Sequence, residues 1–158
     1  MDILIEDLTS EHIAQVAQLW HQGWIDGHIE VVPPELTKLR TPESFQTRTA
    51  ENIALTRVAR REDEVLGFTM VKVDELYQMY VGANARGSGV AQLLMDDCLS
   101  AIRANGHMTA WLSCAIGNDR AARFYTKQCW RNVGEETVLL DTSGAPFPLR
   151  LWRFEKEL

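Results

Sequence analysis

The sequence of 158 residues lacks the features that mark several specialised classes of protein. No apolar run approaches the roughly 20 residues that a helix needs to cross a bilayer, so no membrane association is expected. The first residues, MDILIEDLTSEH, are acidic where a secretory signal is basic, and a cytoplasmic location is therefore expected. Because no repeat, low-complexity tract or linker interrupts the chain, residues 1–158 are expected to form a single domain.

Cysteine pairs and metal-ligand patterns are also absent from the sequence. Three cysteines occur, Cys98, Cys114 and Cys129, and none belongs to a CxxC pair. This spacing indicates neither a disulfide framework nor a zinc site. The histidines and carboxylates show no paired spacing typical of a metal site, so no metal is expected.

The chain has no excess of positive charge. Its formal net charge is −6 at pH 7, which argues against a polyanionic nucleic acid as the main partner. The same negative charge is compatible with a cationic substrate such as an amine. Apolar residues make up 46% of the sequence and charged residues 24%, a balance that indicates an ordinary globular domain with a core.

The patterns that are present alternate between strand and helix. Apolar runs and alternations predict seven strands, around Ile3 and Ile5, at Leu55–Arg60, Val65–Val73, Glu75–Val81 and Thr109–Ile116, and at about Asn132–Leu140 and Leu149–Glu155. Helical spacing predicts four helices, one capped by Thr9 or Ser10, one from Thr41-Pro42 toward Asn52, one from Val90 to Ile102 and one at Asn118–Gln128. Gly23 and Gly27 are expected to loosen the end of the first helix, and Pro33-Pro34 to break the chain. This order predicts a mixed α/β domain with a largely antiparallel meander and one strand–helix–strand crossover.

The most informative segment is the loop Gly82–Gly89, between a predicted strand and a predicted helix. A helix N-terminus offers about four unpaired backbone N–H groups and a partial positive charge. Gly87 and Gly89 remove Cβ atoms, so a bulky anion can approach the backbone, and Arg86 adds a forked cationic donor. These features favour a phosphate or pyrophosphate cradle, with a tight turn of small residues as the alternative. The Gly-Lys-Ser/Thr ending of a P-loop and the third glycine of the dinucleotide fingerprint are missing.

Two motifs resemble those of the GNAT superfamily of acyl-CoA-dependent N-acetyltransferases. The run Arg86-Gly87-Ser88-Gly89-Val90-Ala91 matches the signature (Gln/Arg)-x-x-Gly-x-(Gly/Ala), and the hydrophobic Met79-Tyr80-Val81 precedes it as in that superfamily. The run from Asn118 to Lys127 resembles the second motif, Asn-x-x-Ala-x-x-Phe-Tyr-x-Lys. That motif is usually followed by a glycine and an aromatic residue, and this chain has Cys129 and Trp130 there. The predicted order of strands and helices fits the superfamily over nearly the whole chain.

The resemblance implies a fold and a cosubstrate. The fold is a single GNAT-like α/β (mixed α+β) domain, with a central, mostly antiparallel sheet of about seven strands that is splayed at the CoA site and flanked by helices. The cosubstrate is acetyl-CoA, whose pantetheine arm would pair with the backbone of Met79, Tyr80 and Val81. The amides of the loop and helix start would hold its pyrophosphate, and they belong to Arg86, Gly87, Ser88, Gly89, Val90 and Ala91. A backbone N–H near Val81 would polarise the thioester carbonyl. Asn118 would contact the pantetheine, cap its own helix, or do both.

The resemblance also implies candidate catalytic residues. Tyr125 holds the position of a tyrosine that protonates the departing thiolate, and its alternative role is structural packing beside Phe124. Glu75, at the start of the strand that leads to the cradle, is the candidate base for the incoming ammonium. Its alternative is a solvated residue at a strand end, in which case bulk water takes the proton. Trp24 and His28 follow the first helix, where the family builds its acceptor pocket, and they are candidate substrate-binding residues.

The implied activity is an N-acetyltransferase that moves the acetyl group of acetyl-CoA to a primary amine of a small molecule or peptide, by direct attack in a ternary complex. The acceptor segment, about Gln22 to Gln46, does not distinguish an amino acid, a polyamine, an aminoglycoside or a protein N-terminus. A propionyl donor and a homodimer stay open as alternatives. A non-catalytic acyl-CoA-binding regulatory domain of the same fold is the alternative from another functional class.

Overall fold

The strands and helices follow the hydrophobic periodicity of the sequence in the computed structural model, which describes residues 2–158. The strands are β1 (Leu4–Asp7), β2 (Thr56–Arg61), β3 (Glu64–Lys72), β4 (Glu75–Val81), β5 (Thr109–Ala115), β6 (Arg131–Leu140) and β7 (Phe147–Glu157). The helices within these residues are α1 (Ile13–His28), α2 (Pro34–Leu39), α3 (Pro42–Glu51), α4 (Val90–Ala104) and α5 (Asp119–Lys127). No helix in this range is long and apolar enough to cross a bilayer.

All seven strands form one mixed sheet in the order β1-β2-β3-β4-β5-β7-β6. Strands β1 to β4 make an antiparallel meander, β5 pairs with β7, and β6 and β7 make an antiparallel pair. The one parallel contact among the described residues joins β4 to β5, which the crossover helix α4 connects. The mostly antiparallel sheet of seven strands is therefore confirmed.

The sheet is split between β4 and β5. Within residues 2–158 a single register pair, Glu75 with Trp111, joins the two strands. The register between β3 and β4 also shifts at Tyr77, where a bulge adds one residue to β4. A bulge increases the local twist of its strand, so β4 turns away from β5 beyond Glu75. The predicted splay is present, and it opens a gap in the middle of the sheet.

The two faces of the sheet are covered by different helices. Adjacent strand residues point to opposite faces, and in β2 Val58 joins the cluster with Trp20 of α1 and Phe45 of α3. Its neighbour Ala59 joins the cluster with Leu94 of α4. Because both clusters are closed to water, the sheet is a rigid support for the gap at its centre.

The N-terminal half differs from the prediction at two places. Helix α1 runs without interruption through Gly23 and Gly27, so the expectation that these glycines loosen its end is wrong. The glycines instead permit close approach: an added Cβ at Gly23 would collide with the Tyr80 ring, and one at Gly27 would lie 2.9 Å from Nδ2 of Asn118. The expected break at Pro33-Pro34 is the start of the short helix α2, with Pro34 in its first turn.

Cys129, which stands where the second motif usually has a glycine, takes a left-handed backbone with φ of 68°. This conformation favours glycine and strains a residue that carries a Cβ. The departure from the motif therefore affects the end of α5 and its local stability, and Cys129 lines neither of the two pockets described below.

Candidate active site

Two pockets meet at the gap between β4 and β5. The first, here called the loop pocket, has a volume of about 530 Å³ and lies over the glycine-rich loop and the start of α4. The second, here called the gap pocket, has a volume of about 360 Å³ and lies between β4, β5 and the turn after β6. The residues that line both pockets are Met79, Tyr80, Asn118, Ala121 and Tyr125. A molecule in one pocket can therefore react with a molecule in the other.

The loop pocket has the construction of an anion cradle. Gly87 and Gly89 have φ of 80° and 89°, which places the loop in left-handed backbone that glycine adopts without strain. Among residues 2–158, the N–H groups of Gly87, Gly89, Val90 and Ala91 donate to no backbone oxygen. No atom lies within 4 Å of a Cβ added at either glycine, so the space above these amides is open. The amides and the positive end of the α4 dipole together suit a phosphate group.

The predicted loop residues contribute unequally to the loop pocket. Arg86, Gly87, Gly89 and Ala91 line it, and Ser88 and Val90 do not. The Ser88 amide already donates to the carbonyl of Ala85 at 3.3 Å, and its hydroxyl donates to the same oxygen. Val90 is fully buried in the core, backbone included, and is therefore not available to the pocket.

The free edge of β4 forms the wall between the two pockets. Met79 and Tyr80 line both pockets and Val81 lines the loop pocket. All three residues lie beyond the register pair of Glu75, so this edge of β4 has no neighbouring strand. An extended ligand can therefore pair with the backbone here as an added strand does.

Asn118 holds the N-terminus of α5 against α1. Its Oδ1 accepts a hydrogen bond from the amide of Ala121 at 3.4 Å, so the capping role is present. Its Nδ2 lies beside Gly27, whose lack of a side chain leaves room for the amide. Because Asn118 lines both pockets, its cap also places a polar group at their junction.

Tyr125 stands on α5 with its ring fixed by aromatic neighbours. The ring centroid lies 5.4 Å from Phe124, 6.1 Å from Trp130 and 6.0 Å from Phe154. Burial raises the pKa of the Tyr125 phenol above its ordinary value of 10, and the nearby Cys114 contributes in the same direction. The phenol therefore keeps its proton at neutral pH and can donate it at the junction of the pockets.

Glu75 lines the gap pocket at the point where β4 leaves β5. Burial raises the pKa of its carboxyl to about 7, with smaller contributions from Asp74 and Asp141, while Lys72 opposes the shift. A carboxyl with this pKa is present in both protonation states near neutral pH. It can take up and release a proton under physiological conditions.

Trp24 and His28 form one wall of the gap pocket. Their rings stack with centroids 4.9 Å apart and planes 5° apart. The Nδ1 atom of His28 lies 2.8 Å from the carbonyl oxygen of Trp24, which can only accept a hydrogen bond. Burial lowers the pKa of His28, so the ring is neutral at pH 7 and carries its proton on Nδ1. Its Nε2 atom is left as a hydrogen-bond acceptor.

Several polar residues of the gap pocket were not predicted from the sequence, among them Arg40, Arg48, Tyr77 and Asp141. These four come from α3, the segment before it, β4 and the turn after β6, so no local motif joins them. One signal was visible in α3, where Arg48 shares the buried face with Phe45 and Thr49 at helical spacing. An arginine within an apolar helix face is unusual unless it has a polar or charged partner.

Comparisons with known proteins agree on one protein family. The model of the acetyltransferase (GNAT) family matches residues 14–129. An uncharacterized N-acetyltransferase from Mycobacterium bovis is 31% identical over 87 residues, which are 52% of this chain and 56% of that relative. The chain thus matches little more than half the length of this curated relative.

Two solved structures share the fold over the whole chain. A GCN5-related N-acetyltransferase from Rhodopseudomonas palustris has a TM-score of 0.76 at 19% identity, over 100% of this chain and 97% of that one. The PaiA N-acetyltransferase from Thermoplasma acidophilum, solved in complex with coenzyme A, has a TM-score of 0.69 at 16% identity, over 100% of both chains. At these identities the likeness is one of fold alone, and the family model carries the assignment. Because that model covers most of the sequence, from residue 14 to residue 129, the chain belongs to the acetyltransferase (GNAT) family.

Proposed function

We propose that this protein transfers the acetyl group of acetyl-CoA to a primary amine of a small molecule or peptide, by direct attack in a ternary complex. The observation that carries the proposal is the position of Tyr125, which lines both pockets. One of these pockets has the amides of a phosphate cradle, and the other has a carboxyl with a pKa of about 7. The coenzyme A bound in the related PaiA structure supports the choice of cosubstrate.

The loop pocket is the proposed site of acetyl-CoA. The pyrophosphate binds the free amides of Gly87, Gly89 and Ala91, and Arg86 and Arg120 at the rim add positive charge. The pantetheine arm lies along the free edge of β4 and reaches the junction of the pockets beside Asn118. In this position the thioester lies between the two candidate catalytic side chains, and a backbone N–H near Val81 polarises its carbonyl.

The gap pocket is the proposed site of the acceptor. An amine arrives mainly as an ammonium ion, and Glu75 takes one proton from it and passes that proton to solvent. The free amine then attacks the thioester carbon, so that an N–C bond forms and the C–S bond breaks. Tyr125 donates its proton to the departing sulfur and regains one, through water, from the newly acylated nitrogen. The reaction yields an amide and free coenzyme A, and it releases one proton to solvent.

The properties of Cys114 favour direct attack by the amine over formation of a covalent acyl-enzyme intermediate. It is the cysteine that lines the gap pocket, and burial raises the pKa of its thiol to about 12. The thiolate is the nucleophilic form of cysteine, so a thiol with this pKa is a poor nucleophile near pH 7. The amine is therefore the first group to attack the thioester.

The experiment that tests the function combines binding with turnover. Calorimetry first measures acetyl-CoA affinity, and a free-thiol assay then follows coenzyme A release with a panel of amino acids, polyamines, aminoglycosides and peptides. We expect micromolar binding and amine-dependent release of coenzyme A, with the acetylated amine identified by mass spectrometry. Tight binding without turnover on the whole panel would instead favour a regulatory acyl-CoA-binding domain. Absence of binding would contradict both.

A further inference from the structure

Two arginines in the gap pocket, Arg40 and Arg48, are buried and form no ion pair with a carboxylate among residues 2–158. They are 4% and 6% exposed. Arg40 donates from Nη1 to the backbone oxygen of Asp141 at 2.6 Å, and Arg48 donates from Nη2 to the Tyr77 hydroxyl at 3.1 Å. In the described part of the chain, Nε of both residues and Nη1 of Arg48 have no hydrogen-bond partner. Buried cations without a counter-ion are strongly unfavourable, so this pair requires an explanation.

The positive charges of the two guanidinium groups affect each other and the electrostatic potential of the gap pocket. Both side chains line the gap pocket, and burial and then the charge of Arg48 lower the pKa of Arg40 to about 10, while Tyr77, Tyr80 and Asp141 oppose the shift. Aromatic faces give only partial compensation: the Arg48 guanidinium lies 4.3 Å from the Trp20 ring centroid and that of Arg40 lies 6.0 Å from the Trp24 centroid. The positive potential therefore extends into the gap pocket, which both side chains line.

The acidic residues of the gap pocket neutralise this charge only in part, since Asp141 attracts both arginines and is linked to Arg48 through the Tyr77 hydroxyl. The Asp141 carboxylate accepts hydrogen bonds from Lys72 at 3.3 Å and from the Tyr77 hydroxyl at 3.0 Å. Glu75, with its pKa of about 7, is only partly ionised at neutral pH. The pocket thus has an excess of cations over anions, although the whole chain has a net charge of −6. The net charge of the chain is a poor guide to the charge of its acceptor.

We infer that the acceptor carries an anionic oxygen group, a carboxylate or a phosphate, in addition to its amine, and that Arg40 and Arg48 recognise this group. The inference rests on the proposed acyl transfer and deepens it. Guanidinium groups match the geometry of carboxylates and phosphates with two parallel hydrogen bonds, and a buried pair of them needs such a counter-charge. An acceptor of this class resembles an amino acid, with its amine at Glu75 and its anion at the arginines. Polyamines and aminoglycosides, which carry only positive charge, are repelled.

A binding experiment on matched pairs tests the inference without requiring turnover. The protein is saturated with coenzyme A, so that anions cannot bind in the loop pocket. Calorimetry then compares N-acetyl amino acids with their neutral carboxamides, and N-acetyl aminoalkylphosphonates with their neutral diesters, across a range of side chains. We expect at least one anionic member to bind about tenfold or more tightly than its neutral partner, since tenfold corresponds to about 1.4 kcal/mol. Comparison of the carboxylate pairs with the phosphonate pairs shows which anion is preferred.

Substitutions assign the preference to the two arginines. Arg40→Gln and Arg48→Gln are each expected to remove most of the difference between charged and neutral partners. The matched control is Arg131→Gln, which deletes an equal charge at an exposed ion pair with Glu157 and is expected to keep the preference. Arg48→Lys keeps the positive charge and loses the pair of parallel hydrogen bonds. If the Gln variants fail to fold, this variant provides the test, and it is expected to retain only part of the preference for the charged partner.

Two results would overturn the inference. One is the absence of any charge preference in the wild-type protein across the panel, including absence of binding by its anionic members. The other is a preference that persists in both folded arginine variants, which would mean that these residues serve only to tie α3 and the turn at Asp141 to β4. Failure of acetyl transfer on every amine contradicts the proposed function separately, because the binding comparison needs no turnover.

Discussion

Glu75 pairs with Trp111 at the one register position that joins β4 to β5 within residues 2–158. The neighbouring Asp74 strengthens this contact, since its carbonyl accepts from the Trp111 amide and its carboxylate from the Trp111 indole, each at 3.1 Å. The candidate base therefore stands at the closed end of the gap, on strands that the sheet holds rigidly. Side chains held on strands keep their geometry better than side chains on loops.

The cradle is tested by a matched pair of substitutions at Gly89. Asn and Asp both tolerate the left-handed backbone that Gly89 adopts, so Gly89→Asn and Gly89→Asp share the same strain and differ in charge. The added carboxylate repels the pyrophosphate, and two unit charges 4 Å apart near a surface interact by about 4 kcal/mol. We expect acetyl-CoA to bind Gly89→Asp at least about tenfold more weakly than Gly89→Asn.

Calorimetry with acetyl-CoA measures this difference directly. Circular dichroism and thermal unfolding serve as fold controls, and an Asp at the N-terminus of α4 is favourable for the helix itself. Equal affinities in the two folded variants would place the phosphates elsewhere.

The pH dependence of the reaction is expected to report Glu75. A base acts in its deprotonated form, so kcat/KM should rise with pH and level off above an apparent pKa of about 7. Glu75→Gln removes this ionisation. We expect kcat/KM to fall by about 10²–10⁴-fold and the limb near pH 7 to disappear. Rates are measured from pH 5.5 to pH 9 with an acceptor amine whose pKa is known. The limb that reports Glu75 can then be distinguished from the limb that deprotonation of the acceptor produces.

Asp74→Asn is the matched control for Glu75. It removes the adjacent carboxylate, whose charge raises the pKa of Glu75, and so it should move the limb to lower pH without abolishing it. A folded Glu75→Gln variant that keeps both the limb and the rate would contradict the role of Glu75 as the base.

Direct attack is tested at Cys114. Because its thiol is protonated at neutral pH, Cys114→Ala is expected to keep most of the wild-type kcat and to lose about 1 kcal/mol of stability from the missing sulfur. Intact-protein mass spectrometry after incubation with acetyl-CoA alone should show no acetylated enzyme. An acetyl adduct that disappears in Cys114→Ala, together with lost activity, would establish a covalent intermediate.

The hydrophobic pattern predicts most of the fold because, in the second half of the chain, the spacing of apolar residues agrees with their burial in the structure. In α4 the buried residues Val90, Leu94, Met95, Cys98 and Ile102 recur at helical spacing. The prediction fails in α1, where local propensity makes Gly23 and Gly27 helix breakers. Tertiary contacts overrule that propensity, since the Tyr80 ring and the Asn118 amide occupy the space that the glycines leave.

The site is predictable where it is built from continuous segments. The loop from Arg86 to Ala91 and the run that contains Tyr125 lie within motifs, so their position follows from the chain. Arg48 meets Tyr77 only through the packing of α3 on the sheet, and no spacing in the sequence predicts that contact. The raised pKa of Glu75 has the same origin, because the elements that bury it are distant in the chain.

The central claim is that acyl transfer takes place at Tyr125, where the two pockets meet. Tyr125→Phe removes only the hydroxyl and preserves the ring that packs on Phe124, Trp130 and Phe154. The Ala substitution is unsuitable because loss of a packed aromatic ring costs about 3–5 kcal/mol and confuses folding with chemistry. A folded Tyr125→Phe protein therefore isolates the proton that the proposed mechanism delivers to the departing sulfur.

The decisive measurement is kcat of Tyr125→Phe on the best acceptor, together with its affinity for acetyl-CoA. The account expects kcat to fall by about 10²–10⁴-fold, as for the loss of a general acid, while the dissociation constant of acetyl-CoA stays close to the wild-type value. A change confined to KM would show lost ground-state binding in place of lost acid catalysis. A folded Tyr125→Phe protein with the wild-type kcat would contradict the claim.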